Sequence, residues 1–167
     1  ESLATKHCIL AAGQGNGPLI DAIGLPISMQ LRPLAQVIVK GPNLPDLYAH
    51  AVSLKTVDKP RVTITTHTSS DRQKAWYLGG ELSETGVARS DAQQIAFARQ
   101  ELKELLPWVD LTECAFSVFR VNRAEAGQSE GLRPDRPFVK RIDQITVCWP
   151  TKLTLIPLMG DEVLAGF

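Results

Sequence analysis

Between residues 30 and 80 the chain is punctuated too often for helices and too regularly for a loop. Residues 30–40, rich in Leu, Val and Ile, end at Gly41-Pro42. Residues 47–54 and 61–67 follow, and residues 74–78 end at Gly79-Gly80. In 61–67, Val62, Ile64 and Thr66 alternate with Thr63 and Thr65, the period of a strand with two distinct faces. Connections this short cannot carry the helical crossovers that parallel strands need, so antiparallel pairing is expected. Further strands are expected at 115–122, 138–143 and 144–149. Arg133-Pro134-Asp135-Arg136-Pro137 reads as a loop, because two prolines remove donors and disfavour helix.

One amphipathic helix is expected at 91–106. Ser90 with Gln93 three residues on makes a capping box. Ala92, Ile95, Ala96, Ala98, Leu102, Leu105 and Leu106 form a stripe at helical spacing, and Pro107 stops it. The stripe reads as core packing. Together these segments predict an α+β fold: a mostly antiparallel mixed sheet of about six to eight strands with flanking helices.

The two ends of the chain carry the ligand-like features. Residues 5–12 form a short strand broken by Gly13-Gln14-Gly15-Asn16-Gly17-Pro18. A strand closing on small residues and glycines lets backbone approach a ligand; a glycine-rich turn is the plain alternative. Such a strand has no evident sheet of its own to join, which implies sequence upstream. At the other end Trp149-Pro150-Thr151 leads into residues 152–167, read as a strand feeding a helix capped by Thr151. Pro157 and Gly160 make that helix irregular or short. The N–H groups of a helix starting there would favour anionic or electron-rich atoms, with Trp149 as an apolar wall; a corner around a buried tryptophan is the alternative.

Charge and cysteines narrow the partners. Eighteen basic residues balance eighteen acidic ones, so no net field draws the chain to nucleic acid or anionic membrane. Cys8, Cys114 and Cys148 are odd in number, widely spaced and set among apolar residues, expected as buried thiols of a cytoplasmic, reducing compartment. No apolar run reaches the roughly 20 residues of a membrane span. His7, His50 and His67 show no triad or metal-ligand spacing. Arg133, between Gly131-Leu132 and Pro134, sits on a stiff loop suited to a carboxylate or phosphate. Arg120, Arg123, Arg136 and Arg141 could add to an anion site; a surface arginine paired with Asp135 or Glu125 is the alternative.

Ala11-Ala12-Gly13-Gln14-Gly15, Leu31-Arg32-Pro33-Leu34, Gly131-Leu132-Arg133-Pro134 and Leu153-Thr154-Leu155-Ile156-Pro157, in this order, resemble the later part of FAD-dependent oxidoreductases of the D-amino acid oxidase and glycerol-3-phosphate dehydrogenase superfamily. Trp76-Tyr77-Leu78-Gly79-Gly80 and Asn122-Arg123-Ala124-Glu125 are similar to a bacterial branch of the group. The resemblance implies a substrate-binding domain at 21–148, with 1–20 and 149–167 returning to the FAD. It implies cofactor contacts from Gly13, Gly15, Trp149, Thr151, Lys152 and Leu153. Arg133 and Arg123 would bind a small anionic alcohol or amine from which hydride passes to flavin. Trp-Pro-Thr-Lys stands where the family has glycines. An N-terminal FAD-binding portion is the implied partner, without which the fragment would bind FAD weakly or not at all. A small-anion binding module and a structural or interaction domain are the rival readings.

Overall fold

A computed structural model describes residues 4–53, 56–128 and 135–166, with 56–58 in backbone only. The strands are β1 (Cys8–Leu10), β2 (Met29–Gly41), β3 (Ala49–Ser53), β4 (Thr56–Thr68), β5 (Lys74–Gly79), β6 (Ala115–Ala126), β7 (Phe138–Ile142) and β8 (Ile145–Trp149). The helices are α1 (Asn16–Ile23), α2 (Glu81–Thr85), α3 (Asp91–Leu105) and α4 (Ile156–Leu164). The fold is α+β, with one sheet ordered β3-β4-β5-β2-β6 and another ordered β1-β8-β7. The chain forms two compact units, Glu1–Arg32 with Asn122–Phe167, and Pro33–Val121. The segments 1–20 and 149–167 both fall in the first.

In the Pro33–Val121 unit the expected antiparallel pairing holds: β3 pairs β4, β4 pairs β5 and β5 pairs β2. Val37 sits opposite Leu78, and Ile64 opposite Leu78 from the other side. Strand alternation therefore gathers Val37, Val39, Val62, Ile64, Trp76 and Leu78 into one core with Leu82, Ala98 and Leu102. Each Val, Leu or Ile side chain among them, fully buried, contributes about 1.5–3 kcal/mol. Gly41 belongs to this packing, since a Cβ there would lie 2.5 Å from Cys114 Sγ.

α3 starts as its capping box dictates: Ser90 Oγ accepts from Gln93 N, and Gln93 Oε1 accepts from Ser90 N. Ala98, Leu102, Leu105 and Leu106 of the expected stripe pack in this core, but two polar residues share the buried lane. Gln94, Ala98, Glu101 and Leu102 are buried, while Ala92 and Ala96 are exposed. The polar pair is tolerated because it is satisfied. Gln94 Nε2 donates to the Ala35 and Leu82 carbonyls, and Glu101 accepts from Arg61.

In the first unit, Leu10, Ile20, Ala126, Val147 and Trp149 form a second core. Three expectations are corrected here. β1 does find a sheet, pairing parallel with β8 (Cys8 opposite Ile145, Leu10 opposite Val147) once the β7–β8 hairpin presents its edge. The glycine break after β1 is a 3-10 turn (Gly13–Gly15) leading into α1, which Gly24 ends in the left-handed conformation at φ 67°. Cys8 is exposed because it starts a three-residue strand of which only Leu10, at the other end, reaches the core; Cys114 and Cys148 are buried as expected. Among the described residues no helix is long and apolar enough to cross a membrane.

Candidate functional site

Because β1 and β8 run parallel, their carboxyl ends share one edge, and the chain leaves both in the same way. After β1 come the 3-10 turn Gly13–Gly15 and α1; after β8 come a 3-10 turn at Leu153–Leu155 and α4. Carboxyl ends of parallel strands followed by helix starts are where α/β sheets hold ligands. Neither helix start has a side-chain cap: Gly15 precedes α1 and Leu155 precedes α4. α3, by contrast, has its full capping box. The 3-10 turns take up the first N–H of each helix, Asn16 N donating to the Gly13 carbonyl and Ile156 N to the Leu153 carbonyl, and Pro18 and Pro157 carry no N–H in the first turns.

The buried layer behind the edge is a polar clamp. Asn16, fully buried, accepts from Ala12 N at 2.8 Å through Oδ1 and donates to the Leu10 and Cys148 carbonyls, both at 3.1 Å. Trp149, 1% exposed, donates from Nε1 to the Gly13 carbonyl at 2.9 Å, while its ring leans on Phe138. Gly13 adopts φ +58°, and a Cβ there would meet nothing within 4 Å, so the edge is open beside it. Gly15 packs tightly on Ala12, since a Cβ at Gly15 would lie 3.2 Å from the Ala12 Cβ. Asn16 was hidden in the sequence by its glycine neighbours; only an amide could satisfy a donor and two acceptors at once.

Thr151 does not cap a helix, which corrects the sequence expectation. It holds φ +59°, a conformation rare for a β-branched residue. Its hydroxyl lies within hydrogen-bonding distance of two carbonyls, 3.1 Å from that of Arg136 and 2.7 Å from that of Pro150. Helical hydrogen bonding begins only beyond it. Lys152 and Leu153 project from the edge, Leu153 being 82% exposed. Burial raises the thiol pKa of Cys148 and of Cys114, which disfavours the thiolate at both.

The second cluster lies where β2 and β6 enter the first unit. Gln30 and Arg32 on β2, and Arg123 and Glu125 on β6, recur at every second residue, so strand alternation puts each pair on one face. Glu125 is fully buried. Arg32 Nε donates to Glu125 Oε1, Gln30 Nε2 donates to the same oxygen at 2.9 Å, and Arg123 Nε lies 3.9 Å from Oε2. Gln30 Oε1 in turn accepts from Gln128 N at 3.3 Å. Glu125 and Gln30 are the residues that sequence reasoning passed over as site members. Arg133 lies outside the described residues. Among the described residues no group of His, Cys, Asp and Glu could hold a metal ion.

No family model matches the chain. It is, however, 48% identical over 165 residues to a probable FAD-dependent oxidoreductase of Pseudomonas aeruginosa, PA4991. The likeness is to a flavoprotein. It takes in 98% of this chain and 42% of the relative, so the chain spans less than half of that protein's length. The crystal structure of FAD-dependent oxidoreductase PA4991 superposes with a TM-score of 0.88 over 96% of this chain and 44% of that one. At 48% identity the α+β architecture and the strand-to-helix edge are therefore those of a portion of a flavoprotein fold.

Proposed function

We propose that the chain is the substrate-side portion of an FAD-dependent oxidoreductase of the D-amino acid oxidase and glycerol-3-phosphate dehydrogenase type. The observation that carries this reading is the β1–β8 edge: two parallel strands, each followed by a 3-10 turn and a helix start without a side-chain cap. That arrangement suits an electron-rich ring or phosphate. Gly13, Gly15, Lys152 and Leu153 would meet the cofactor, while Trp149 and Thr151 fix the turns from behind. FAD, when bound, supplies the hydride acceptor. This chain's own residues orient the substrate. Arg123, held by Glu125, and Arg133 would bind the anionic group of a small alcohol or amine so that its C–H faces the flavin. The dinucleotide fingerprint is absent from these 167 residues, so the portion alone is expected to bind FAD weakly and to be inactive. The buried, unpaired thiols of Cys114 and Cys148 support a cytoplasmic setting.

A visible spectrum of the full-length protein tests the reading. Flavin bands in the full-length protein, absent from the 167-residue portion, would support it. A colourless full-length protein that takes up no added FAD would sink it in favour of an anion-binding module. In an active protein, Arg123→Ala or Arg133→Ala should lower kcat/KM by at least roughly tenfold, as expected for a lost charge-assisted hydrogen bond.

A further inference from the structure

The Pro33–Val121 unit carries a pocket of about 330 Å³ between β4, α2 and α3, lined in part by Arg61, Glu81, Leu82, Arg89, Phe97 and Glu101. Arg89 is unusually well fixed there. Its guanidinium carbon stacks 3.9 Å from the Phe97 ring centroid, and its Nη1 donates to Gln94 Oε1 at 2.9 Å. Gln94 is itself fully buried and anchored on the Ala35 and Leu82 carbonyls. Gly86 makes that arrangement possible: a Cβ there would sit 2.2 Å from Gln94 Nε2. A buried amide, an aromatic face and an obligatory glycine thus hold one cation at the pocket wall, the supporting shell that a preorganised site needs.

The charges around it are committed unequally. Arg61 is neutralised by Glu101 and Glu104, to which its Nη2 donates at 2.8 and 2.6 Å. Among the described residues, Arg89 and Glu81 belong to no ion pair, although both line the same pocket. A cation and a carboxylate that share a cavity without meeting leave room for a molecule bearing the opposite charges in the opposite order. Leu82 and Phe97 supply apolar wall for its short body. The volume is at the lower end for small-molecule sites, which demands a compact ligand.

We propose that this pocket binds a small zwitterion, with its carboxylate on Arg89 and its ammonium on Glu81. The pocket shares no lining residue with the β1–β8 edge or the Arg123 cluster, so the proposal stands whether or not the flavin reading holds. The test is titration calorimetry of the full-length protein with glycine, β-alanine, 4-aminobutyrate and 6-aminohexanoate, against butyrate and butylamine. At least one amino acid of the series should bind at one site per chain, at least roughly tenfold tighter than either singly charged control. The member that binds reports the spacing of the two charges. Arg89→Gln should weaken it by roughly tenfold or more, and Glu81→Gln, at an exposed position, should bring it down to the level of butyrate. Arg123→Ala should leave it unchanged, which separates this pocket from the proposed substrate site. Failure of all four amino acids to bind at millimolar concentration would overturn the proposal. So would butyrate binding equally well, or an affinity that Glu81→Gln leaves unchanged.

Discussion

Glu125 offers the sharpest quantitative test of how the arginine cluster is built. Its carboxylate is 0% exposed, while the side chains of Arg32 and Arg123 keep 25% and 29% of their surface in water. Removing one partner of a wholly buried pair costs about 3–5 kcal/mol, because the other charge is left uncompensated. Here the arginines retain solvent contact, and Gln30 and Arg123 remain beside Glu125 after Arg32 is lost. Arg32→Met is therefore expected to cost about 2–3 kcal/mol. Glu125→Leu should cost a similar amount, since Arg32 can turn further into water but the buried Nε and Nη2 of Arg123 lose the carboxylate beside them. The double variant should cost less than the sum of the two, because it removes the stranded carboxylate altogether. Urea denaturation of the 167-residue chain, followed by tryptophan fluorescence, gives all four corners of the cycle. Additive costs would mean that Arg32 stabilises by packing alone, and the argument for a charge-held cluster would fail.

Other perturbations probe separate parts of the molecule. Asn16→Ala strips one acceptor and two donors from a fully buried position; a loss of about 2–4 kcal/mol is expected by denaturation, and a loss under about 1 kcal/mol would mean that the backbone re-pairs. Ser90→Ala removes the α3 cap and should cost about 1 kcal/mol, visible as a lower urea midpoint at unchanged slope. Gly86→Ala forces a methyl onto the Gln94 amide and should cost about 1–3 kcal/mol, with Gln94→Ala suppressing most of that penalty in the double variant. Lys40, and then Ser69, hold the Asp71 carboxyl at about 2, below its usual 3.8. A depressed carboxyl pKa stabilises above its unfolded value and loses that contribution as pH falls towards the folded one. Stability should thus decline between pH of about 4 and about 2, with Asp71→Asn flattening that part of the profile.

Sequence pattern alone located β2 to β5, α3 with its cap, and the β7–β8 hairpin, since each rests on local periodicity and a nearby stop signal. It failed where the partner is remote. β1 looked orphaned because its neighbour lies 137 positions on, Cys8 facing Ile145. α1 was read as a turn because Gly13, Gly15, Gly17 and Pro18 outweigh Leu19, Ile20 and Ile23, although Gly24 was a legible stop. The α3 stripe was incomplete because Gln94 and Glu101 are buried for partners that no periodicity records. At the candidate site, the glycine turn and Trp149 were found from residue type, and their joining by the Gly13 carbonyl was not. Thr151 departed from expectation because its positive φ turns the chain before any helix can start.

The pairing of β1 with β8 also sets an order of assembly. Closing a loop of that length costs more entropy than any pairing within residues 33–121, and contacts so distant in sequence form slowly. During synthesis, at roughly 5–20 residues per second, the antiparallel strands β2 to β5 and α3 emerge complete while β1 still waits for its neighbour. The segment that bears Gly13 thus stays unassembled until Trp149 has left the ribosome. An edge built this way is the last part of these 167 residues to acquire its shape, and any ligand would meet it only after the rest had folded.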